Sequence, residues 1–62
     1  MDPIEKANEL VNYYKGNKNA IMDDIKVTLD HYSKMISKFP TSDPVKDGMR
    51  YWMDVKKQVL NY

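Results

Sequence analysis

Apolar residues recur along this chain in steps of three and four, interrupted by two clusters of turn-forming residues. The first stripe is Ile4, Ala7, Val11 and Tyr14, with Leu10 beside it, and this spacing places them on one face of a helix. Asp2-Pro3-Ile4-Glu5 opens the stripe with an N-cap acid, a proline at the first helical position and an acid in the first turn. Gly16 follows and can take the left-handed conformation that stops a helix. Helix 1 is expected over about residues 3–15.

Gly16-Asn17-Lys18-Asn19 reads as a tight turn in which either asparagine can cap the next helix. The second stripe, Met22, Ile25, Leu29, Tyr32, Ile36 and Phe39, holds the three-four alternation throughout, and Ile21 and Met35 widen it. Helix 2 is expected over about 20–38. Asp30 and Lys34 form a favourably ordered i,i+4 pair on its polar face. Asp23-Asp24 suits the positive end of the helix dipole better than a metal, because neighbouring residues point about 100° apart on a helix.

Pro40 disfavours helical geometry at Phe39, and Asp43-Pro44 repeats the opening of helix 1. Val45, Gly48, Trp52, Val55, Val59 and Tyr62 then continue the period, so helix 3 is expected over about 44–61. No segment alternates apolar and polar residues as a half-buried strand does. The expected fold is all-α and fills one domain, 1–62. It is either a small three-helix up-down-up bundle or a helical hairpin plus a short N-terminal helix, completed by oligomerisation.

Helix 3 carries more apolar surface than one stripe requires. Met49, Met53 and Leu60, with the stem of Lys56 between, form a second row roughly a quarter turn from the first, and Tyr51 lies on the other flank. Either the two neighbouring helices cover both rows, or the second row meets another chain. Methionine adapts to irregular partners, and Met, Trp and Tyr are enriched at interfaces. The expected partner-binding residues are therefore Met49, Tyr51, Trp52, Met53, Lys56 and Leu60. A self-complementary contact of this kind makes a two-fold dimer. Gly48 faces the core inside helix 3 at a cost of about 1 kcal/mol against alanine. Close packing of a helix or of a ring such as Trp52, Tyr32 or Phe39 is expected to compensate.

Composition narrows the function. A chain of 62 residues buries only about 60% of its unfolded surface, which makes a single core marginal. Small domains are usually reinforced by disulfides, a metal or a partner chain. There is no Cys and only one His, His31, so a disulfide, a thiolate metal site, a His-rich site and a cysteine nucleophile are all excluded. A partner chain, or unusually good helix packing, remains. His31 lies off the apolar stripe with no residue placed to orient it as a base, so it reads as solvated. Phosphate-loop, HExxH, CxxC and GxSxG motifs are absent, and no cofactor or metal is expected.

Charge is balanced, with ten Lys+Arg against nine Asp+Glu. The balance holds in each third of the chain, which weakens any phosphate-binding field. The alternative to protein binding is a helix-turn-helix-like nucleic-acid reader using Lys46, Arg50 and Lys57 of helix 3, but Asp43, Asp47 and Asp54 share that polar surface. Membrane-surface binding is not expected, since residues 41–62, which hold helix 3, carry a basic excess of only one. With no secretory signal and no apolar run of about 18 residues, a cytoplasmic location is expected. Nine Lys to one Arg, with frequent Asn and Tyr, suggests an AT-rich viral or bacterial source. The reading is a small non-enzymatic interaction protein, a regulator, inhibitor or adaptor, that self-associates as a homodimer.

Overall fold

The computed structural model describes residues 2–62. They form three α-helices and, among the described residues, no strand: α1 (Pro3–Tyr13), α2 (Lys18–Lys38) and α3 (Asp43–Leu60).

Each helix begins close to where its capping chemistry directs. The Asp2 carboxylate accepts the Ile4 N–H at 2.7 Å, and Pro3 occupies the first helical position, where no backbone donor is needed. Asn17 caps α2 by accepting the Ala20 N–H at 3.2 Å. That start precedes the expected one at residues 19–20 and has a consequence for Asp23-Asp24. Both now lie past the first turn, where the dipole has little effect. Asp24 instead accepts the Tyr14 hydroxyl at 2.9 Å, which fastens the end of α1 to α2. At α3 the N-cap is Ser42, not Asp43. Asp43 opens the helix and places its charge in the first turn, while the Ser42 side chain makes no capping bond.

α1 ends two residues earlier than the stripe suggests, in a closed hydrogen-bonded terminus. The Gly16 N–H donates to the Val11 carbonyl at 2.8 Å, and the Lys15 N–H to the Asn12 carbonyl at 3.3 Å. This is the paired bonding of a Schellman end. Its left-handed C′ residue is Lys15, at φ 53°, with Gly16 following at φ 79°. The glycine permits the turn, but the lysine carries part of the strain.

Burial is concentrated in a few aliphatic side chains. Ala7, Leu10 and Val11 of α1 meet Ile21 and Ile25 of α2 and Val55 and Val59 of α3, and Val45 is buried separately near the start of α3. Tyr14, Met22, Leu29, Tyr51 and Trp52 pack around this cluster, half-buried. α3 is the shared element: it packs along both α2 and α1, whereas α1 and α2 touch only slightly. The most deeply buried residue of α2 is Ile21, which the sequence places on the flank of the stripe. The burial axis of α2 is therefore rotated toward Ile21 and Ile25, and Phe39 is left exposed beyond the helix end. Tyr62, expected on the α3 stripe, is exposed past Leu60.

Two contacts fix how α2 lies on α3. Lys18 Nζ donates to the Tyr62 carbonyl at 3.0 Å. One flank of the Tyr32 ring covers Gly48 so closely that a Cβ built there lies 2.5–2.7 Å from the ring edge and hydroxyl. The start of α2 thus faces the end of α3, and the two contacts are separated by the same number of residues on both helices. The ring accounts for the glycine: the notch in α3 is filled by Tyr32.

The molecule measures 36 × 20 × 16 Å. Its radius of gyration is 12.0 Å, above the roughly 10.5 Å of a typical domain of this length. Its accessible surface of 4577 Å² likewise exceeds the roughly 4,200 Å² expected from the mass.

Candidate functional site

With α1 laid on α3 and hardly on α2, one side of the α2–α3 pair has no third helix over it. An open groove of about 830 Å³ runs along that side. Its α2 wall includes Met22, Ile25, Val27 and Leu29, with Asp23, Lys26 and Asp30 on the rim, and its α3 wall includes Met49 and Lys56. Met53 and Leu60 flank Lys56 at helical spacing, on the face of α3 beside that wall. They are 55% and 57% exposed, and Val27 across the groove is 70% exposed. Scattered exposed apolar residues need no explanation; these lie together on one side of the α2–α3 pair.

The six residues singled out on helix 3 fall into two groups. Met49, Met53, Lys56 and Leu60 share the groove side, with Met49 half-buried and the other three exposed. Trp52 and Tyr51 are half-buried against the core cluster and stack edge-to-face, centroids 5.7 Å apart. Lys6 of α1 reaches over the Trp52 ring at 5.9 Å, a cation–π contact that also shields it. Packing within the chain thus engages Trp52 and Tyr51, while the methionine row stays open.

By sequence, Met22 and Leu29 belong to the core stripe, and Lys26 and Val27 have no assigned role. The available signal was the width of the α2 stripe. A helix carrying Ile21 and Met22 side by side, with Val27 outside the stripe, has more apolar surface than one neighbour covers.

Lys46, Arg50 and Lys57 are all exposed on α3 and fall within an arc of about 40° by helical rotation. Asp43, Asp47 and Asp54, also exposed, occupy the adjoining arc. Phosphate would therefore meet bases and acids on one surface. Ion pairing among the described residues is light: Lys6 with Glu9 at 3.0 Å and Lys34 with Asp30 at 3.5 Å. No group of three or more His, Cys, Asp or Glu among the described residues is arranged to hold a metal ion. His31 is exposed beside the Tyr32 ring, centroids 6.3 Å apart. Tyr14 is a perturbed titrating group. Its hydrogen bond to Asp24, then partial desolvation, then the charges of Asp24 and Tyr13 raise its pKa above the usual 10.0. No described helix is long and apolar enough to cross a membrane.

Comparison with family models, curated proteins and solved structures finds no match to this chain.

Proposed function

We propose that this chain is a small non-enzymatic protein–protein interaction module, acting as a regulator, inhibitor or adaptor through the α2–α3 groove. It folds as an up-down-up set of three helices in which α1 covers one side of α3 and another protein chain covers the groove side. The observation that carries the reading is the row Met49, Met53, Lys56 and Leu60, left open opposite Met22, Val27 and Leu29. Burying such a row removes apolar surface from water at roughly 25 cal/mol per Å². Flexible methionines let the same row accept an irregular partner surface. The occupant favoured is another copy of the chain, since a domain of this size gains most from sharing a core.

A photo-reactive phenylalanine in place of Met53 tests the groove. Irradiation in an extract of the native host, and of the concentrated pure protein, is expected to give protein adducts. The same group in place of Asp47, on another side of α3, is expected to give none. Adducts independent of position, or an adduct with nucleic acid instead of protein, overturn the reading. The second of those results would favour the arc of Lys46, Arg50 and Lys57 as a nucleic-acid contact.

A further inference from the structure

We infer that the groove is closed by a second copy of this chain turned about a two-fold axis parallel to the helices, so that α2 of each copy lies over α3 of the other. The inference rests on the groove being a protein-binding surface, and it names the occupant and its orientation.

Within one chain, Lys18 meets Tyr62, and Tyr32 meets Gly48, so residues of α2 and α3 at equal distances from these contacts stand at equal heights. Carried along the helices, this register sets Asp23 level with Lys57, Lys26 level with Asp54, and Asp30 level with Arg50. All six are exposed. None of these three pairs forms an ion pair within the chain; the described pairs are Lys6–Glu9 and Lys34–Asp30. Asp23, Lys26 and Asp30 line the α2 side of the groove. By helical rotation Lys57 and Arg50 lie next beyond Met53 and Leu60 around α3.

A two-fold axis parallel to the helices leaves every residue at its own height and exchanges the two sides of the groove. The α2 rim of one copy then runs along the α3 rim of the other. Asp23 comes level with the partner's Lys57 and Asp30 with the partner's Arg50, opposite charges at both levels. Lys26, between them, has no acid opposite it, because Asp54 lies off this rim in the arc of Asp43 and Asp47. The like-signed level, Lys34 with the partner's Lys46, lies beyond Ser33, the last α2 residue lining the groove. A two-fold axis across the helices instead sets α2 over α2 and α3 over α3, which brings Arg50 and Lys57 of one copy toward the same bases of the other. The charge pattern thus selects one of the two face-to-face arrangements.

Apolarity agrees with this occupant. Met22, Leu29, Met49, Met53 and Leu60 would lie toward the centre of the interface, with Asp23, Asp30, Arg50 and Lys57 at its edge, the usual apolar-core and polar-rim order. The joined α2 and α3 helices make a four-helix core, and both α1 helices stay outside.

Sedimentation equilibrium on four proteins tests the arrangement, with circular dichroism confirming that each is helical. The parent is expected to be a dimer, and Met53→Glu a monomer. Asp23→Lys with Asp30→Lys, and separately Arg50→Asp with Lys57→Asp, put like charges on facing rims. Each double variant is expected to self-associate roughly a hundredfold more weakly than the parent at low salt. Mixing the two double variants restores opposite charges on both rims and is expected to recover a heterodimer within about tenfold of the parental affinity. Parental-strength self-association by both double variants overturns the α2-over-α3 arrangement, since stacking like helices exchanges one repulsive pair of rims for another. Failure of the mixture to recover overturns it too. A monomeric parent at millimolar concentration overturns the second copy as occupant. The groove reading then stands if the photo-reactive group at position 53 still captures a different protein, and falls if it does not.

Discussion

Two backbone positions show where individual residues work against intrinsic preference. Lys15 holds the left-handed C′ conformation at the end of α1, which costs a non-glycine residue about 1 kcal/mol or more. Its side chain is exposed, so nothing is lost by removing it. Lys15→Gly is therefore expected to stabilise the chain by about 0.5–1 kcal/mol in urea unfolding; a loss of stability would mean that the turn is held by the lysine itself. The sequence pointed to Gly16 for this place because glycine is the usual occupant. The hydrogen-bonded ring closes one residue earlier, a shift that composition cannot reveal. Gly48 is the opposite case. Its cost in α3 was legible from its helical position, and so was the need for a neighbour in the notch, but three rings were equally eligible until the structure placed Tyr32 over it. A double-mutant cycle isolates that contact. With Tyr32→Ala in place, Gly48→Ala is expected to add about 1 kcal/mol, the plain helix-propensity gain. With the tyrosine present, the new methyl must displace the ring, and the gain is expected to vanish or reverse. Equal effects in both backgrounds would leave the glycine without a packing role.

At the level of elements, the three helices were legible because their stripes are long and their starts are marked by Asp2-Pro3, Asn17 and the Pro40–Pro44 segment. The stripes did not reveal how the helices share their faces. Periodicity names an apolar arc without saying which neighbour covers it, and α2 carries an arc wide enough to be turned either way. The burial of Ile21 and the opening of Met22 and Leu29 onto the groove follow from where α1 lies, and α1 is held by contacts the stripes do not encode. One of these is the Tyr14–Asp24 bond at 2.9 Å. Deprotonating Tyr14 would set two negative charges against each other, so the folded chain holds the proton more tightly than the unfolded chain does. The bond's contribution is then complete below the unfolded tyrosine value near 10, and is lost as pH rises through the higher folded value. Urea midpoints of the parent are expected to fall more steeply above pH 10 than those of Tyr14→Phe, the two curves converging at high pH. Parallel curves would show that α1 docks without this bond.

The whole molecule joins a thin core to an open face, and the two are linked energetically. Ala7, Leu10, Val11, Ile21, Ile25, Val55 and Val59 are small or medium aliphatic side chains, and the one tryptophan and the tyrosines stand around them, half-buried or exposed. A core of this kind leaves an isolated 62-residue chain near the lower end of domain stability. If the second copy closes the groove, association adds to that stability by mass action: at a free concentration a hundredfold above the dissociation constant, binding contributes about 2.7 kcal/mol. For a domain of this size each kcal/mol moves the unfolding temperature by about 4–8 °C. The melting temperature of the parent is thus expected to rise by roughly 10–20 °C as protein concentration climbs from near the dissociation constant to a hundred times above it. Met53→Glu changes no buried core contact, because Met53 is more than half exposed in the single chain. Its melting temperature is expected to match the parent's at the lowest concentration and to stay flat thereafter. Calorimetric scans of both proteins across that range separate the two sources of stability. A parent curve as flat as the variant's would mean that the aliphatic cluster alone sustains the fold. Two curves rising together would place the self-contact somewhere other than the methionine row.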